Sequence, residues 1–330
     1  MAFDSACAID KITKFARNIA KANAQMDTTQ QTITAIVGPT ASGKTAVAVA
    51  LARTLGGEIL SADSRQVYRG MDLGTGKDLN EYAAGGTPVP YHLIDIAPAG
   101  SRYNVYQYQR DFLTAYRQIL SRNAHPVLCG GSGLYIEAVL RGYRLMPVPE
   151  NPELRSRLAT LTDAQLQQEL QQYGPLHNTT DLDSRQRTIR AIEIAQFHHS
   201  NPVSPEQFPQ LPNKVFGIRY DRATEMARIR QRLQQRLEQG MLDEVRGLLN
   251  SGLQPESLTY YGLEYKHLTE HLLGQTTYSE MFERLYIAIR QFAKRQMTWF
   301  RGMERRGTTI HWIPGEWPLE RKLQHIQAAL

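Results

Sequence analysis

The segment that most constrains the fold of this chain is GPTASGKT at residues 38–45. It matches the phosphate-binding pattern G-x-x-x-x-G-K-[ST] in full. An apolar, β-prone run, TITAIV, directly precedes it, and a helix-prone stretch, AVAVALARTL, follows. A glycine-punctuated turn between a strand and a helix is the context in which this pattern forms a P-loop. The sequence therefore predicts a phosphate-binding loop near residue 40.

The rest of the chain favours an α/β protein. Further apolar runs, bounded by Gly, Pro or polar turns, read as buried strands: EILSAD, HLIDI, HPVLCGG, FGIRY and TTIHWI. Long amphipathic helices are predicted over 223–249 and 278–304. Because strands alternate with helices, we expect a P-loop parallel sheet core with helices on both faces.

Residues 142–210 have a different pattern, with short polar helices and no convincing strand, which predicts a helical insertion domain. The expected organisation is an N-terminal extension (1–30), the first part of the catalytic core (31–141), the insertion (142–210), and the completed core with basic C-terminal helices (211–330). The extension has spaced apolar and basic residues that could form an amphipathic helix, but no run of signal-peptide length.

Composition limits the cellular setting. The chain has 330 residues, a formal net charge of +6, and only two cysteines, Cys7 and Cys129. It contains no run of about eighteen apolar residues, so we expect no membrane span. Two widely separated cysteines suit the reducing cytoplasm, and the positive charge permits a polyanionic partner without requiring one.

The P-loop predicts a ligand class rather than a reaction. Its backbone N–H groups and the following helix N-terminus should bind a diphosphate or triphosphate, with Lys44 adding positive charge and the Thr45 hydroxyl ligating Mg²⁺. The expected phosphate-binding positions are Gly38, Thr40, Ala41, Ser42, Gly43, Lys44 and Thr45. Kinases, ATPases and other enzymes share such loops.

Residues after two other predicted strands narrow the chemistry. Asp63 ends the second apolar strand, at the edge where open α/β sheets bind ligands. It could bind Mg²⁺ or accept a hydroxyl proton in a kinase, or accept a proton from an exocyclic amine in a base-modifying enzyme. Ser64 and Gln66 offer hydrogen bonds to a base edge, and the Ser132 hydroxyl could contact a phosphate or an amine. Lys77 could contact a phosphate or lie on the surface.

Several separated motifs together resemble the bacterial type of the tRNA dimethylallyltransferase family. They are GPTASGKT (38–45), SADSRQVYRGMDLGTGK (61–77), HLIDI (92–96), CGGSGLY (129–135) and RQFAKRQMTWFR (290–301). The resemblance runs from about Thr32 to Trp312 and implies transfer of a dimethylallyl group from its diphosphate to N6 of adenine-37, beside the anticodon. It implies that Asp63 accepts the N6 proton, and that Ser132, where the family usually has Thr, serves the same site with a looser fit.

An arginine-rich helix is expected to complete the diphosphate site. Arg228, Arg232 and Arg236 are spaced by four residues, so they share one helix face. RIRQRL at 228–233 resembles the family's R-I-x-x-R element, whose second arginine contacts the diphosphate, which implies this role for Arg232 as a catalytic residue. Arg228 is also expected to bind the diphosphate. For Arg236 a solvated position and an anion-facing position remain open.

The resemblance also implies a set of tRNA-contacting residues. They are Asp63, Ser64, Arg65, Gln66, Arg155, Gln186, Arg187, Arg190, Tyr261, Gly262, Arg290, Lys294 and Arg295. The last three lie in a stretch where basic and aromatic residues alternate, a composition that suits RNA phosphates and splayed bases, while Trp299 is expected in the core. The anticodon arm of tRNA is thus the expected partner of a cytoplasmic monomer.

Three departures from the family pattern indicate a divergent branch and bear on tRNA recognition. YYGLEYK replaces the commoner G-Y-[KR]-E element, Ile289 stands where Thr is usual, and the segment 177–190 is longer and lacks a Pro. The alternatives are an adenylate isopentenyltransferase, a P-loop kinase or ATPase, and a tRNA-binding module without activity. The insertion and basic C-terminal helix disfavour the first, and for the second the best acidic Walker B candidate is Asp95.

Overall fold

The computed structural model describes residues 31–174, 182, 184–201 and 208–330. The predicted N-terminal extension and most of the long segment after His177 that precedes Ser184 lie outside the described residues. The chain divides into two compact units, a larger one (31–142 with 209–330) and a smaller one (143–208). No helix within the described ranges is long and apolar enough to cross a membrane.

The larger unit is built on a six-stranded sheet. The strands are β1 (Ile33–Val37), β2 (Gly57–Ala62), β3 (Tyr91–His92), β4 (His125–Gly130), β5 (Asn213–Arg219) and β6 (Ile310–Pro314). They lie in the order β3-β2-β4-β1-β5-β6, and every neighbouring pair is parallel. All carboxyl ends therefore meet at one edge, where ligands bind in open α/β sheets.

Helices connect the strands and cover the sheet. Those of the first half are α1 (Lys44–Leu55), α2 (Asn80–Ala83), α3 (Val105–Ser121) and α4 (Gly133–Leu140). Those of the second half, numbered after three helices of the smaller unit, are α8 (Arg222–Glu238), α9 (Met241–Asn250), α10 (Pro255–Leu258), α11 (Leu263–Leu272), α12 (Tyr278–Arg305) and α13 (Leu319–Ala329).

The core has a layer on each face of the sheet, because side chains alternate between the faces of a strand. On one face, strand residues such as Ile36, Val127 and Phe216 pack with Val47 of α1 and Ile326 of α13. On the other face, α3 packs against β2, β4 and α4, and α12 packs against α4. These layers confirm the predicted α/β class with a P-loop parallel core.

Among its described residues, the smaller unit contains three helices, α5 (Pro152–Ala159), α6 (Asp163–Gln171) and α7 (Arg185–Ser200). Side chains from all three form a separate small core. Asn151 and Thr162 cap α5 and α6 through their side-chain oxygens, which accept hydrogen bonds from Leu154 N and Gln165 N. The described residues of this unit form helices, and the predicted domain organisation stays a prediction.

Two sequence-based element predictions were wrong in extent. HLIDI was predicted as a strand, but β3 ends at His92 because Leu93 and Asp95 have left-handed backbone angles (φ 67° and 57°) that no strand accommodates. The helical pattern predicted over 223–249 is interrupted at Gly240 (φ 99°), which lies between α8 and α9 and precedes the first residue of α9. In both cases a local positive φ overrides the apolar periodicity.

Candidate functional site

The P-loop leaves β1 and enters α1 with two residues in the left-handed region, Ala41 (φ 60°) and Gly43 (φ 77°). No side chain caps the N-terminus of α1, and its first turn contains no acidic residue. The Ser42 hydroxyl is buried and has no hydrogen-bond partner among the described residues. An uncapped helix N-terminus with an unsatisfied hydroxyl is suited to bind a phosphate group.

Side chains from distant helices hold the loop in place. Gln296 of α12 accepts a hydrogen bond from Thr40 N (2.8 Å) and donates one to the Gly131 carbonyl (2.9 Å). Arg228 of α8 donates from Nε to the Ala41 carbonyl (2.9 Å). The buried amide of Gln296 therefore links the P-loop to the glycine loop after β4.

Lys44 is a buried cation that interacts with several charged groups of the site. Its Nζ donates to the Pro39 carbonyl at 3.2 Å. Burial lowers the pKa of Lys44 below its ordinary value; nearby Arg232 lowers it further, while Asp63 and Asp78 act in the opposite direction. A buried ammonium group with a lowered pKa gains much from a phosphate ligand, which would restore its preference for the charged form.

Asp63 begins the turn that follows β2. Its Oδ1 accepts a hydrogen bond from Arg65 N (2.9 Å). The Ser132 hydroxyl accepts from Ser64 N (2.9 Å) and lies 3.2 Å from the Ser64 hydroxyl, so it joins the loops after β2 and β4. Gln66 is turned inward, where it accepts from the Ser61 hydroxyl and donates to the Gly76 carbonyl (2.9 Å). The turn is thus fixed, with Asp63 and Ser64 only partly buried.

The arginine face of α8 meets an acidic residue that the sequence did not indicate. Arg232 and Arg236 both form ion pairs with Asp78, the latter at 3.1 Å. Arg236 is only 9 % exposed, so the solvated position left open for it is excluded. Burial acts to raise the pKa of Asp78, but the two arginines outweigh it and the pKa falls below its ordinary value.

Lys77 is neither phosphate-facing nor on the surface. Its side chain is fully buried, and Nζ donates to the Tyr68 carbonyl (2.7 Å) and to Asp72 and Asp95. Three acceptors satisfy all three donors of the ammonium group. Asp95 is therefore engaged in a structural ion pair, which weakens its candidacy as a Walker B acid.

An open pocket lies beside the P-loop. It is lined by Thr40, Ala41, Ile229, Arg232, Leu233, Arg236, Met241, Glu264 and Ile289. Burial raises the pKa of Glu264 above its ordinary value, partly offset by Arg236 and Arg232. The pocket combines an apolar wall with the charged side chains of Arg232, Arg236 and Glu264.

The P-loop suits a magnesium ion held together with phosphates. Mg²⁺ takes few protein ligands and completes its shell with phosphate oxygens and water. Thr45 is half-buried in the first turn of α1, near the Cys129 thiol. Burial raises the pKa of this thiol to about 12. The Thr45 hydroxyl oxygen has two lone pairs, with which it can accept a hydrogen bond or ligate a cation.

The predicted tRNA contacts of the larger unit have unequal access to a ligand. Tyr261 is 2 % exposed, and its hydroxyl donates to the Ser101 carbonyl, so its ring is internal. Arg65 is half-buried, whereas Lys294 and Arg295 on α12 are exposed. Arg290 lies over the Tyr286 ring on the same helix. Trp299 packs on Gly133 and donates to Glu137, as expected of a core residue.

In the smaller unit, two predicted tRNA contacts also have a structural role. The carboxylate of Glu193 is buried and accepts hydrogen bonds from Arg155 (2.9 Å), Arg190 and Asn151 N. Arg190 also donates to the Val148 carbonyl at 2.8 Å. Gln186 and Arg187 are exposed on the first turn of α7. RNA contact by these four residues stays a prediction.

Sequence reasoning missed three residues that organise the site: Asp78, Glu244 and Gln296. Asp78 directly follows the GTGK segment, but its arginine partners lie more than 150 residues later. Glu244 of α9 accepts hydrogen bonds from the backbone N–H groups of Asp72, Leu73 and Gly74. Gln296 stands inside the RQFAKRQMTWFR motif, where one polar residue on the buried helix face was the available signal.

Comparisons with known proteins agree with this geometry. The family model described as IPP transferase matches residues 66–303, and the model described as isopentenyl transferase matches residues 31–88. The chain is 57 % identical over 296 residues to tRNA dimethylallyltransferase 2 of Bacteroides fragilis, covering 90 % of this chain and 97 % of the relative. It is 56 % identical over 291 residues to tRNA dimethylallyltransferase 1 of Porphyromonas gingivalis, covering 88 % and 96 %.

Solved structures give the same result. The tRNA isopentenylpyrophosphate transferase of Bacillus halodurans superposes with a TM-score of 0.66 at 31 % identity, covering 90 % of this chain and 95 % of that one. A eukaryotic dimethylallyltransferase acting on tRNA shares the fold, with a TM-score of 0.70 at 18 % identity over 86 % and 74 % of the two chains. The resemblance inferred from the sequence motifs is confirmed, and the chain belongs to the IPP transferase family of tRNA dimethylallyltransferases.

Proposed function

We propose that this protein transfers the dimethylallyl group of dimethylallyl diphosphate to N6 of adenine-37 in tRNA and releases diphosphate. The observation that carries the proposal is the shared edge of the sheet. The P-loop follows β1, Asp63 follows β2, and the Ser132 loop follows β4, the strand that lies between them. A phosphate site and a proton acceptor thus flank one hydroxyl-bearing loop.

Asp63 is proposed to act as the general base. The lone pair of an exocyclic adenine amine is delocalised into the ring, so the amine is a poor nucleophile. A carboxylate that takes the N6 proton while the new bond forms removes this obstacle. The hydrogen bond from Arg65 N to one oxygen orients the carboxylate, and Ser132 and Ser64 offer hydroxyls beside it for orienting the amine.

The step is a substitution at the first carbon of the dimethylallyl group. The N6–carbon bond forms as the carbon–oxygen bond to diphosphate breaks. The proton moves from N6 to Asp63, and the electron pair of the broken bond leaves with diphosphate. No oxidant or reductant is needed.

The leaving group is stabilised by the positive groups around the P-loop. We propose that the diphosphate binds to Lys44, Arg228 and Arg232. Arg232 would then either leave its ion pair with Asp78 or contact Asp78 and the diphosphate at the same time. Such preorganised charges stabilise negative charge that develops in the transition state. Mg²⁺, proposed to bind at Thr45 together with phosphate oxygens, would add to this charge neutralisation.

The pocket beside the P-loop is proposed to hold the dimethylallyl group. Ile229, Leu233, Met241 and Ile289 give it an apolar wall next to Thr40 and Ala41 of the loop. A five-carbon chain gains roughly 0.8 kcal/mol for each methylene-sized group that it buries. Ile289, where the family usually has Thr, extends this apolar wall.

A second candidate is prenylation of a free adenine nucleotide. The isopentenyl transferase model matches residues 31–88, which contain the P-loop and Asp63 but not the basic helix α12. We favour tRNA because the relatives named above are tRNA dimethylallyltransferases and the match to this chain covers almost their whole length. The anticodon arm is the proposed partner, and the protein is proposed to act as a monomer in the cytoplasm.

The test is a substrate comparison with radiolabelled dimethylallyl diphosphate. The protein is incubated with unmodified tRNA, with AMP, or with ATP alone, and label transfer and ATP hydrolysis are measured. We expect label in tRNA at an adenine next to the anticodon, with negligible ATP hydrolysis. Label in AMP alone supports the second candidate, and tRNA-stimulated ATPase activity without transfer overturns both.

A further inference from the structure

Two adjacent tyrosines of the divergent YYGLEYK segment have opposite environments. Tyr261 is buried, with its ring edge-on to Tyr68 at a centroid distance of 4.7 Å. Tyr260 is 39 % exposed, and its ring is supported edge-on by Tyr261 at 5.3 Å. The tyrosine predicted to contact tRNA is thus internal, and its neighbour presents an aromatic ring to solvent.

The Tyr260 ring lies next to two guanidinium groups. Cζ of Arg65 is 5.1 Å from the ring centroid, and Cζ of Arg102 is 5.7 Å from it. Arg65 belongs to the Asp63–Gln66 turn, so the exposed ring borders the proposed base. An aromatic ring flanked by cations matches the two parts of a single-stranded nucleic acid, a base face and a phosphate.

Tyr261 and Tyr68 pack behind this ring. The Tyr68 hydroxyl accepts a hydrogen bond from Tyr103 N (3.0 Å), and burial followed by the nearby Tyr260 raises the pKa of Tyr68. Burial also raises the pKa of Tyr135, with further contributions from Tyr68, Tyr260 and Asp63. Tyr260 is therefore the solvent-facing member of a cluster with Tyr261 and Tyr68, next to Arg65 of the turn that contains Asp63.

We propose that Tyr260 is a stacking surface for an unpaired base of the RNA substrate that neighbours the acceptor adenine, with Arg65 and Arg102 facing the adjoining phosphates. The inference rests on the proposed function. Extracting an adenine from a loop unstacks its neighbours, and an aromatic ring at the rim of the site compensates for that loss. Stacking on an aromatic side chain is sequence-tolerant, so it does not require one particular base beside the acceptor adenine.

The test compares Tyr260→Ala with Tyr260→Phe. Loss of the ring is expected to raise the KM for an anticodon stem-loop by about 5- to 150-fold, the range that corresponds to about 1–3 kcal/mol of base stacking. The KM for dimethylallyl diphosphate should stay unchanged. Tyr260→Phe keeps the ring face and should restore most of the RNA affinity.

A spectroscopic readout separates stacking from a structural role. Stem-loops carry 2-aminopurine at each position that flanks the acceptor adenine, and fluorescence is recorded on binding without dimethylallyl diphosphate. We expect quenching at one flanking position with the unmodified protein and with Tyr260→Phe, and recovery of fluorescence with Tyr260→Ala. Tyr278→Ala is the matched control, since Tyr278 is 50 % exposed at the start of α12.

The possible failures are distinguishable. If the protein neither binds nor modifies the stem-loop, the proposed function itself fails. If it modifies RNA normally and Tyr260→Ala changes neither KM nor fluorescence, the stacking inference is overturned while the function stands. An equal loss in Tyr260→Ala and Tyr260→Phe also overturns it, because the hydroxyl rather than the ring would then matter.

Discussion

At the scale of single residues, the two oxygens of Asp63 have different surroundings. Oδ1 accepts a hydrogen bond from Arg65 N, while Oδ2 accepts none from any residue in the described part of the chain. A carboxylate held by one oxygen keeps the other available for a proton. This asymmetry is what a positioned general base requires.

Asp63→Asn should therefore lower the rate of transfer far more than it lowers substrate binding. Asparagine preserves size and the hydrogen bond from Arg65 N but cannot take the N6 proton. Loss of a general base costs about two to four orders of magnitude in rate, or roughly 3–5 kcal/mol of barrier at 1.36 kcal/mol per decade. The measurement is the single-turnover rate with a saturating stem-loop.

Asp243→Asn, a substitution of an exposed aspartate on α9, is the control and should retain the unmodified rate. A near-normal single-turnover rate for Asp63→Asn would assign Asp63 to the turn structure alone.

Sequence reasoning at this scale was limited by distance along the chain. The P-loop pattern and Asp63 are local signals, readable from a strand and the residues that follow it. The buried position of Lys77 depends on Asp95, and the ion pairs of Asp78 depend on α8, more than 150 residues away. A lysine in a glycine-rich turn looks exposed until the acceptors that surround it are known.

At the scale of elements, α9 fixes the long loop that contains the Asp63 motif. The Glu244 carboxylate accepts hydrogen bonds from the backbone N–H groups of Asp72 (2.8 Å), Leu73 (2.7 Å) and Gly74 (3.0 Å). Tyr265 of α11 donates its hydroxyl to Glu244 (2.7 Å) and covers Gly74, where a Cβ would lie 2.6 Å from the ring. The divergent YYGLEYK segment thus supports the loop that carries the proposed base.

Glu244→Gln should weaken this support. The amide group brings an N–H donor towards backbone donors, so at least one backbone N–H loses its acceptor, at a cost of about 1–3 kcal/mol. We expect a lower urea midpoint and a reduced transfer rate. The two are measured by chemical denaturation and by single-turnover kinetics.

Glu238→Gln, at the exposed end of α8, provides the comparison and should change neither quantity. Unchanged stability and rate in Glu244→Gln would mean that the loop holds its shape without α9.

Element boundaries were predictable where the apolar pattern and the flanking Gly, Pro or polar turn residues agreed, as in β1, β2, β4 and β5. They failed where a residue without glycine's freedom takes a positive φ, as Leu93 does after β3. Such conformations are imposed by tertiary contacts, and a single sequence contains no signal for them.

At the scale of the whole molecule, a buried carboxylate in an ion pair makes stability depend on pH. Glu58 of β2 accepts hydrogen bonds from Arg122 (2.7 Å) and His92 (2.6 Å). The hydrogen bonds from Arg122 lower the pKa of Glu58 below its ordinary value of 4.5, against the opposing effect of burial. A lowered folded-state pKa contributes stability above pH 4.5, and this contribution disappears as the pH falls through the folded-state value.

Glu58→Gln should therefore destabilise the protein at neutral pH by about 1–3 kcal/mol, and the difference from the unmodified protein should shrink below about pH 4.5. Urea midpoints of both proteins from neutral to acidic pH give the measurement. Glu256→Gln, an exposed glutamate on α10, should give no pH-dependent difference. A constant difference at every pH would contradict the linkage.

RNA affinity should depend steeply on salt. Each phosphate neutralised by the protein contributes a slope of about −0.7 to −0.9 to the log–log plot of affinity against salt concentration. Replacing Arg290, Lys294 and Arg295 of α12 together by Ala should reduce the slope by up to about three such contributions.

Stem-loop dissociation constants over a range of NaCl concentrations test this, with Arg321→Ala on α13 as the control. A slope that is unchanged in the triple variant would remove α12 from the RNA-binding surface.

The strand order has a further consequence for the geometry of the reaction. β4 lies between β1 and β2, and adjacent strands are about 4.8 Å apart, so the chain positions from which the P-loop and Asp63 depart are separated by roughly 10 Å. A base within about 3 Å of an amine, and an amine within about 3–3.5 Å of the carbon that it attacks, fit this spacing with the leaving oxygen at the far end. In the proposed reaction, the backbone hydrogen bonds of the sheet therefore set the distance between the chain positions that precede the P-loop and Asp63, before any substrate binds. Side-chain changes in the core that leave the strand spacing intact also leave that distance unaltered. One residue inserted between Ala62 and Asp63 would instead displace Asp63 relative to the P-loop.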